Sequence, residues 1–387
     1  MKILFHSNLF PDDREVYRGQ DNANLLHRLA ESAEVRVISP RPLLPFRTPQ
    51  PVRAREQDAL VKPVFPHFRY IPKVGSSVNH HLLRAAVRKP FEDLVSTFQP
   101  DVLLASWAYP DTCAVVPIAQ EFGLPVVAIT QGSDVHIHLR MPLRRRLIPK
   151  AFAHCYKVIT RSAQLAQLLE DAGVSREKLQ PVYNGVDSSV FYPGNTEAIR
   201  QTLGLSVSSR YLLFVGNYYP VKNPFLLLQA VAKLRQAVSG YDIKLLMVGE
   251  GPLKDKVEST LMKFGLTDVV TLLGRQSSAQ IAELMRAVDI LCIPSNNEGL
   301  PNVLLEAFSC GLQVVSTDVG GIKEVLKDSS LGQLVPAGDS VRMAQAIHDR
   351  LSFTTDKDLI LRLAEPFSWQ RTVVIYRRIL ESAISSS

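Results

Sequence analysis

Long apolar runs are missing from this 387-residue chain. None approaches the roughly 20 residues that a membrane-spanning helix needs. The opening MKILFHSNLF has one lysine and three apolar residues before His6, Ser7 and Asn8 interrupt it. That is too short for the core of a secretory signal and reads as a first buried strand. Cysteine is scarce. Cys113, Cys155, Cys292 and Cys310 show no metal-ligand spacing and sit in apolar surroundings, which argues for buried free thiols in a reducing cytoplasm. No G-x-G-x-x-G opens a helix, which disfavours a nicotinamide dehydrogenase. No aromatic-interleaved basic motif supports nucleic-acid binding, and no sequence repeat of about 20–50 residues is present.

What is present is an ordinary globular balance, 46% hydrophobic and 21% charged, long enough for two or three domains. The net charge of +7 is placed unevenly. Residues 1–160 hold 21 Lys+Arg against 14 Asp+Glu, whereas residues 161–387 hold 23 of each. Such asymmetry points to an anionic partner for the first half.

The second half alternates apolar runs (YLLFVGN, KLLMVGE, VVTLLG, DILCIPS, LQVVSTD) with stretches of helical spacing. The first half repeats the theme in KILFHS, EVRVISP, DVLLASW, PVVAITQGSD and KVITRS. Alternating strands and helices predict parallel βαβ units and two Rossmann-like α/β domains, joined near the polar, turn-rich 187–210. Residues 40–72, rich in proline, arginine and aromatics, break the pattern and read as a long irregular segment.

The stretch EGLPNVLLEAFSCG, Glu298 to Gly311, poses a chemical question. Pro301 suits a first helical turn. Glu298 then lies on the preceding loop and Glu306 in the second turn, about 8–12 Å away on helix rise. Two carboxylates at about 6.5–9.5 Å suit inverting glycoside hydrolysis. A glycine-preceded helix start equally suits an anion, with Gly299 permitting close approach and the amides of Asn302, Val303 and Leu304 aimed at phosphate. Glu306 would then grip a ribose diol and Glu298 sugar hydroxyls.

A basic stretch, RMPLRRRLIPK, supplies Arg140, Arg144, Arg145, Arg146 and Lys150, interleaved with Met141, Leu143, Leu147 and Ile148. On a helix it would be basic on one side and apolar on the other, the composition of a lipid-facing segment. Arg84, Arg88, Lys89 and the four arginines within 41–55 would enlarge that patch.

The donor-type stretch PSNNEGLPNVLLEAFSCGLQVVSTDVGGIKEVL (294–326) resembles the E-x7-E block of retaining GT-B glycosyltransferases, glycosyltransferase family 4 (glycosyl transferases group 1). VYNGVDSSVFYP (182–193), FVGNYYPVKNP (214–224), LLMVGEGPLKDKVE (245–258), VTLLGRQSSAQIAELM (270–285) and WAYPDTCAVVPIAQEFGLPVVAITQGSD (107–134) resemble further family blocks in the right order, so the likeness covers nearly the whole chain.

The resemblance implies a GT-B fold: a first domain over 1–190, a nucleotide-sugar-binding domain over 191–370, a central cleft between them, and a terminal helix over 371–387 crossing back. It implies a metal-independent, retaining transfer from a nucleotide-diphosphate sugar to a saccharide or lipid-linked acceptor, with no cofactor. Such a protein would be cytoplasmic, peripheral on an anionic inner membrane face, and would serve cell-surface polysaccharide or glycolipid synthesis. The family's phosphate lysine matches Lys222, and its catalytic set carries over to Glu298, Lys222, Asp134 and His136. Its donor contacts carry over to Gly19, Gly216, Asn217, Lys222, Gly249, Gly274 and Arg275. In the E-x7-E block they fall on Glu298, Gly299, Leu300, Pro301, Asn302, Val303 and Glu306.

Three positions depart from the family pattern. Asn217 stands where many relatives carry Arg. Arg18-Gly19 replaces two adjacent glycines, so Arg18 is itself a candidate to reach the phosphates. Gln131 replaces the His of H-G-x-D, with His136 or His138 as substitutes. Asn217 and Gln131 motivate one alternative, a catalytically weak GT-B partner or regulator; a nucleotide-sugar epimerase of the same architecture is another. The D-x-D triplet Asp356-Lys357-Asp358 lies far from every donor motif, and no metal site is expected there.

Overall fold

The computed structural model describes residues 1–72, 77–237, 242–353 and 355–386. The chain divides into two compact units, Met1–Asn184 with Trp369–Ser387, and Gly185–Ser368. The crossings thus fall at 184/185 and 368/369, beside the expected 190/191 and 370/371. Val186 N donates to Phe367 O at 2.8 Å, so the outgoing and returning segments run side by side.

The first unit is built on an all-parallel seven-stranded sheet. Its strands are β1 (Lys2–His6), β2 (Glu34–Ile38), β4 (Pro63–Val64), β6 (Val102–Ser106), β7 (Val126–Thr130), β8 (Lys157–Thr160) and β9 (Leu179–Pro181), in the order β4-β2-β1-β6-β7-β8-β9. The strands are apolar throughout because both faces are covered. Ile3, Phe5, Val102 and Leu104 pack on one face, and Leu4, Leu103 and Ala105 on the other, the period of two expected of a pleat. The helix Trp369–Ser385 belongs to this unit. Its Trp369, Tyr376, Leu380 and Ala383 join the Ile3/Phe5 face.

The segment 40–72, expected to be irregular, is tied down at both ends. β3 (Arg41–Leu43) pairs in parallel with β5 (His67–Arg69), and β4 adds an edge to the main sheet. Arg41 is buried there against Asp12 at 2.8 Å. Partners some 25 residues apart are what local periodicity does not show.

The second unit is a six-stranded parallel sheet of β10 (Arg210–Val215), β11 (Ile243–Val248), β12 (Val270–Gly274), β13 (Ile290–Ile293), β14 (Gln313–Thr317) and β15 (Gly332–Val335). Its order, β12-β11-β10-β13-β14-β15, is the doubly wound Rossmann order 3-2-1-4-5-6. In such a sheet the loops after the first and fourth strands diverge to opposite faces, leaving a crevice at the carboxyl ends where ligands bind. Here those strands are β10 and β13. In the first unit they are β1 and β6.

Candidate functional site

The loop after β10 and the loop after β13 meet at the second unit's crevice. Asn296 N donates to Val221 O at 2.8 Å, Asn296 Nδ2 to Pro220 O at 3.0 Å, and Asn223 Nδ2 to Asn296 Oδ1 at 2.9 Å. This stitching brings Lys222 Nζ to 2.7 Å from Glu298 Oε1. Ser295 Oγ donates to the same oxygen at 2.6 Å. The side chains are 29% and 10% exposed, so the ion pair is partly sheltered yet reachable. Sequence reasoning placed these residues on different parts of a donor; in the structure they hold each other.

Pro301 is extended (φ −73, ψ 127) and caps the helix Asn302–Ser309 rather than occupying its first turn. Leu304 N donates to Pro301 O at 3.1 Å. The Leu304 amide, expected to face a phosphate, is therefore used internally. Glu306 is half-buried one turn further on.

Glycines form the crevice floor. Gly249 has φ 139, and a Cβ there would lie 2.1 Å from Gly216 O. Gly249 N donates to Gly274 O at 2.8 Å and Gly216 N to Val248 O at 3.0 Å. Only a residue without Cβ fits Gly249, which is in a conformation L residues avoid. Asn217 and Arg275 are exposed beside this floor.

In the first unit Gly19 (φ 61) caps the helix Gln20–Ala30, where a Cβ would lie 2.3 Å from Leu9 O. Asp134 is fully buried, and its carboxylate accepts N–H bonds from Ala108 (2.9 Å), Gln131 (2.9 Å) and Gly132 (2.8 Å). Burial pushes its pKa up against the pull of these amides. The expected catalytic Asp134 thus clamps the 131–134 loop onto the strand end after β6. His136 is half-buried, its Nε2 without a partner among the described residues, and burial followed by Arg140 holds its pKa below the usual value.

Gln131 turns inward. Its Nε2 donates to Asn22 Oδ1 and Ser106 Oγ, both at 2.9 Å, and its Oε1 accepts from Arg161 Nε at 3.3 Å. Arg161 in turn donates to the Tyr376 hydroxyl at 2.9 Å, tying the terminal helix into the network.

Two family models tile the chain: Glycosyltransferase Family 4 matches residues 22–190, and Glycosyl transferases group 1 matches residues 195–358. The chain belongs to the group 1, family 4 glycosyltransferases. It is 30% identical over 250 residues to the N-acetyl-alpha-D-glucosaminyl L-malate synthase of Bacillus anthracis, covering 64% of each chain. It is 34% identical over 204 residues to the D-inositol 3-phosphate glycosyltransferase of Segniliparus rotundus, covering 51% of this chain and 45% of that one. The match therefore spans between 45% and 64% of the length of these relatives. Among solved structures, Anabaena HepE in complex with UDP superposes with a TM-score of 0.77 at 20% identity, over 100% of both chains. Sucrose-phosphate synthase from Thermosynechococcus elongatus does so at 0.77 and 18%, again over 100% of both. These share the GT-B fold.

The basic helix departs from its expectation in this family member. Within Pro142–Ala153, Arg144 is 8% exposed and stacks 4.5 Å from the Tyr109 ring centroid. It lies on the buried face with Ile148 and Phe152, whereas Arg140, Arg145, Arg146 and Lys150 are exposed. The supposed extensions of the patch are occupied. Arg88 pairs with Glu121 at 2.7 Å, Lys89 with Asp93 at 2.6 Å, and Arg84 donates to Ala114 O at 3.2 Å.

Asp356 caps the helix Lys357–Ala364 by accepting from Leu359 N at 2.9 Å. The four cysteines are free and buried, and burial pushes the thiols of Cys113, Cys155 and Cys310 up to about 12.

Two groups escaped the sequence reading. Gly320 (φ 62) underlies the Glu298–Gly299 peptide: a Cβ there would sit 2.1 Å from Glu298 O, and Gly321 N donates to Gly299 O at 2.6 Å. The paired glycines of DVGG were the available signal. The other is Asp111, fully buried, accepting both the backbone N–H (2.6 Å) and the side-chain amide of Asn8, with His6 Nε2 3.7 Å away. Burial pushes Asp111 up to about 7 and His6 down to about 3. Nothing local in the sequence announces that pairing.

Proposed function

We propose that this chain transfers a sugar from a nucleotide-diphosphate donor to a saccharide or lipid-linked acceptor, with retention and without a metal ion. The observation that carries this reading is the Lys222–Glu298 pair at the crevice between β10 and β13, with Glu306 in the helix that begins there. A diphosphate arriving at the crevice competes with Glu298 for the Lys222 ammonium. Its negative charge grows as the glycosidic C–O bond breaks, so Lys222 stabilises the transition state more than the ground state. The exchange frees the Glu298 carboxylate for donor sugar hydroxyls. The Asn302 and Val303 amides add to the phosphate side, and Glu306 takes the ribose diol. The relatives named for glycosyl transfer and the UDP-bound neighbour of the same fold support this assignment.

Retention is supported by the use of Asp134, whose carboxylate already accepts three backbone amides and is not offered to an acceptor proton. A second reading, donor binding without turnover, is favoured by one observation: Gln131, where relatives carry His, is drawn into a buried network. Peripheral attachment to an anionic membrane belongs to the same proposal, supported by exposed Arg140, Arg145, Arg146 and Lys150 beside Met141 and Leu143. Among the described residues no helix is long and apolar enough to cross a membrane.

Titration calorimetry with UDP and a panel of nucleotide sugars tests the donor assignment. Glu306→Ala and Lys222→Ala should each weaken donor binding by roughly 1–3 kcal/mol as charge-assisted hydrogen bonds are lost. Unchanged donor affinity in both variants would remove the site from the reading.

A further inference from the structure

The crevice described above lies at the carboxyl ends of the second unit's strands. The amino ends of the same sheet carry a cavity of their own, of about 450 Å³. Arg210 opens β10, Val288 and Asp289 precede β13, and Gly311 and Leu312 lead into β14 at Gln313; all of them line it. β10 is six residues long, so about 17–20 Å of strand separates this cavity from the crevice. The volume is that of a small-molecule site.

Charge is unbalanced there. Four cations, Arg200, Arg210, Arg350 and Lys357, face two carboxylates, Glu197 and Asp289. Asp289 is already shared. Arg200 Nη2 lies 2.7 Å from its Oδ2, Arg210 Nη1 lies 3.6 Å from its Oδ1, and Tyr211 N donates to Oδ2 at 2.7 Å. Glu197 is exposed to solvent. Arg350 and Lys357 form no ion pair among the described residues, and their partners are neutral. Arg350 donates from Nε to Gln313 Oε1 at 2.6 Å, from Nη1 to Ser329 O at 2.7 Å and from Nη2 to Ser330 O at 3.3 Å. Lys357 Nζ donates to Thr196 Oγ1 at 2.8 Å. These bonds hold both heads in place and leave N–H groups over, since a guanidinium has five and an ammonium three. Partial burial holds the pKa of both below the usual value; Asp289 offsets this in part at Lys357, and Arg200 adds to it. Asp356, next to Lys357, is turned to its own helix as the cap.

The run from Gly311 to Gln313 brings the two cations to one wall. Gly311 (φ 71) leaves room for Lys357, because a Cβ there would lie 3.3 Å from Lys357 Cβ. Two residues on, Gln313 holds Arg350. Phe353, 69% exposed, has its ring centroid 5.9 Å from the Arg350 guanidinium and sets an apolar face beside the charge.

We infer that this cavity binds a small phosphorylated molecule, its phosphate held by Arg350 and Lys357 at the end of the sheet opposite the donor crevice. Two cations without carboxylate partners match the two charges of a phosphate, with the guanidinium fork and the ammonium dividing its oxygens. The inference goes beyond the glycosyl-transfer reading and stands without it.

Limited acetylation of amines on the full chain, mapped by mass spectrometry, tests it, because Lys357 reports this cavity and Lys222 the donor crevice in one digest. The probe is inorganic phosphate, against sodium chloride at matched ionic strength. At about ten times the phosphate concentration that gives half-protection, labelling of Lys357 should fall roughly tenfold, since about one site in ten is then free. Arg350→Gln should raise the half-protection concentration about tenfold, as a charge-assisted hydrogen bond is lost. Equal protection by chloride, protection of Lys222 alone, or unchanged Lys357 labelling at about 20 mM phosphate, where a millimolar site would be filled, overturns the inference. So does a folded Arg350→Gln protein with the wild-type half-protection concentration. The wild-type titration decides even where the variant misfolds.

Discussion

Replacing Glu298 by Gln should strengthen binding of a free nucleoside diphosphate while weakening the added contribution of the donor sugar. In the structure the Lys222 ammonium is engaged by Glu298 Oε1 at 2.7 Å. A diphosphate competes with Glu298 for the charge of that ammonium. The pair is neither fully exposed nor fully buried, at 29% and 10%, so its strength lies between a surface ion pair and a buried charge-assisted bond. About 1 kcal/mol is a reasonable middle value, and its removal corresponds to about a fivefold lower Kd for the nucleoside diphosphate. Gln keeps the shape and still accepts from Ser295, whose hydroxyl lies 2.6 Å away, so the loop should hold its course. The sugar nucleotide behaves differently, because its hydroxyls lose the carboxylate they were to meet. The ratio of nucleotide to sugar-nucleotide affinity should therefore move in favour of the free nucleotide. Calorimetry with UDP and UDP-glucose at one fixed ionic strength reads both. A Glu298→Gln protein that binds UDP more weakly than wild type would refute the competition argument. An equal gain for both ligands would refute the role of Glu298 on the sugar.

Gly249→Ala should lower the melting temperature and cost roughly 1–3 kcal/mol, because φ 139 is a strained region for alanine and its Cβ would strike Gly216 O; a scanning melt measures it. Asp111→Asn tests the buried acid: its folded pKa of about 7 lies above the unfolded value, so wild type loses stability from this group as pH rises from about 4 to 7. His6, depressed to about 3, acts oppositely over much of that range but is common to both proteins, so the variant should gain stability relative to wild type as pH rises from about 4 to 7, read from urea melts. A flat difference would show that Asp111 ionises normally. Arg145→Glu/Arg146→Glu should reduce low-salt co-sedimentation with anionic liposomes, each exposed cation being worth about 1 kcal/mol near such a surface. Unchanged co-sedimentation would remove the membrane from the account.

The two Rossmann-like units were legible because parallel strands covered on both faces are short apolar runs, and ten of them stand out by composition alone. β15 did not, since Gly332 opens it at φ 150 with Val314 O where a Cβ would be. A glycine required by close backbone approach hides a strand from any pattern of side chains. The candidate donor residues came from family likeness, which does not show the Lys222–Glu298 contact. It arises from two loops 76 residues apart that converge only because the strand order reverses between β10 and β13. Arg144 shows the opposite failure. Charge patterning set every cation of RMPLRRRLIPK outward, yet one helical turn before Ile148 places Arg144 on the packed face, where the Tyr109 ring accommodates it. Gln131 looked like a lost catalytic group. Its partners Asn22, Ser106 and Arg161 come from three separate elements, and their convergence is a property of the fold.

Proton NMR of the chain incubated with a nucleotide sugar and a panel of charged and uncharged acceptors tests the central claim most directly, since one spectrum reports donor consumption and the new anomeric coupling together. The account predicts acceptor-dependent consumption of one donor and a product whose anomeric coupling matches that of the donor. A product of opposite configuration, or a donor that changes without any acceptor present, would contradict it.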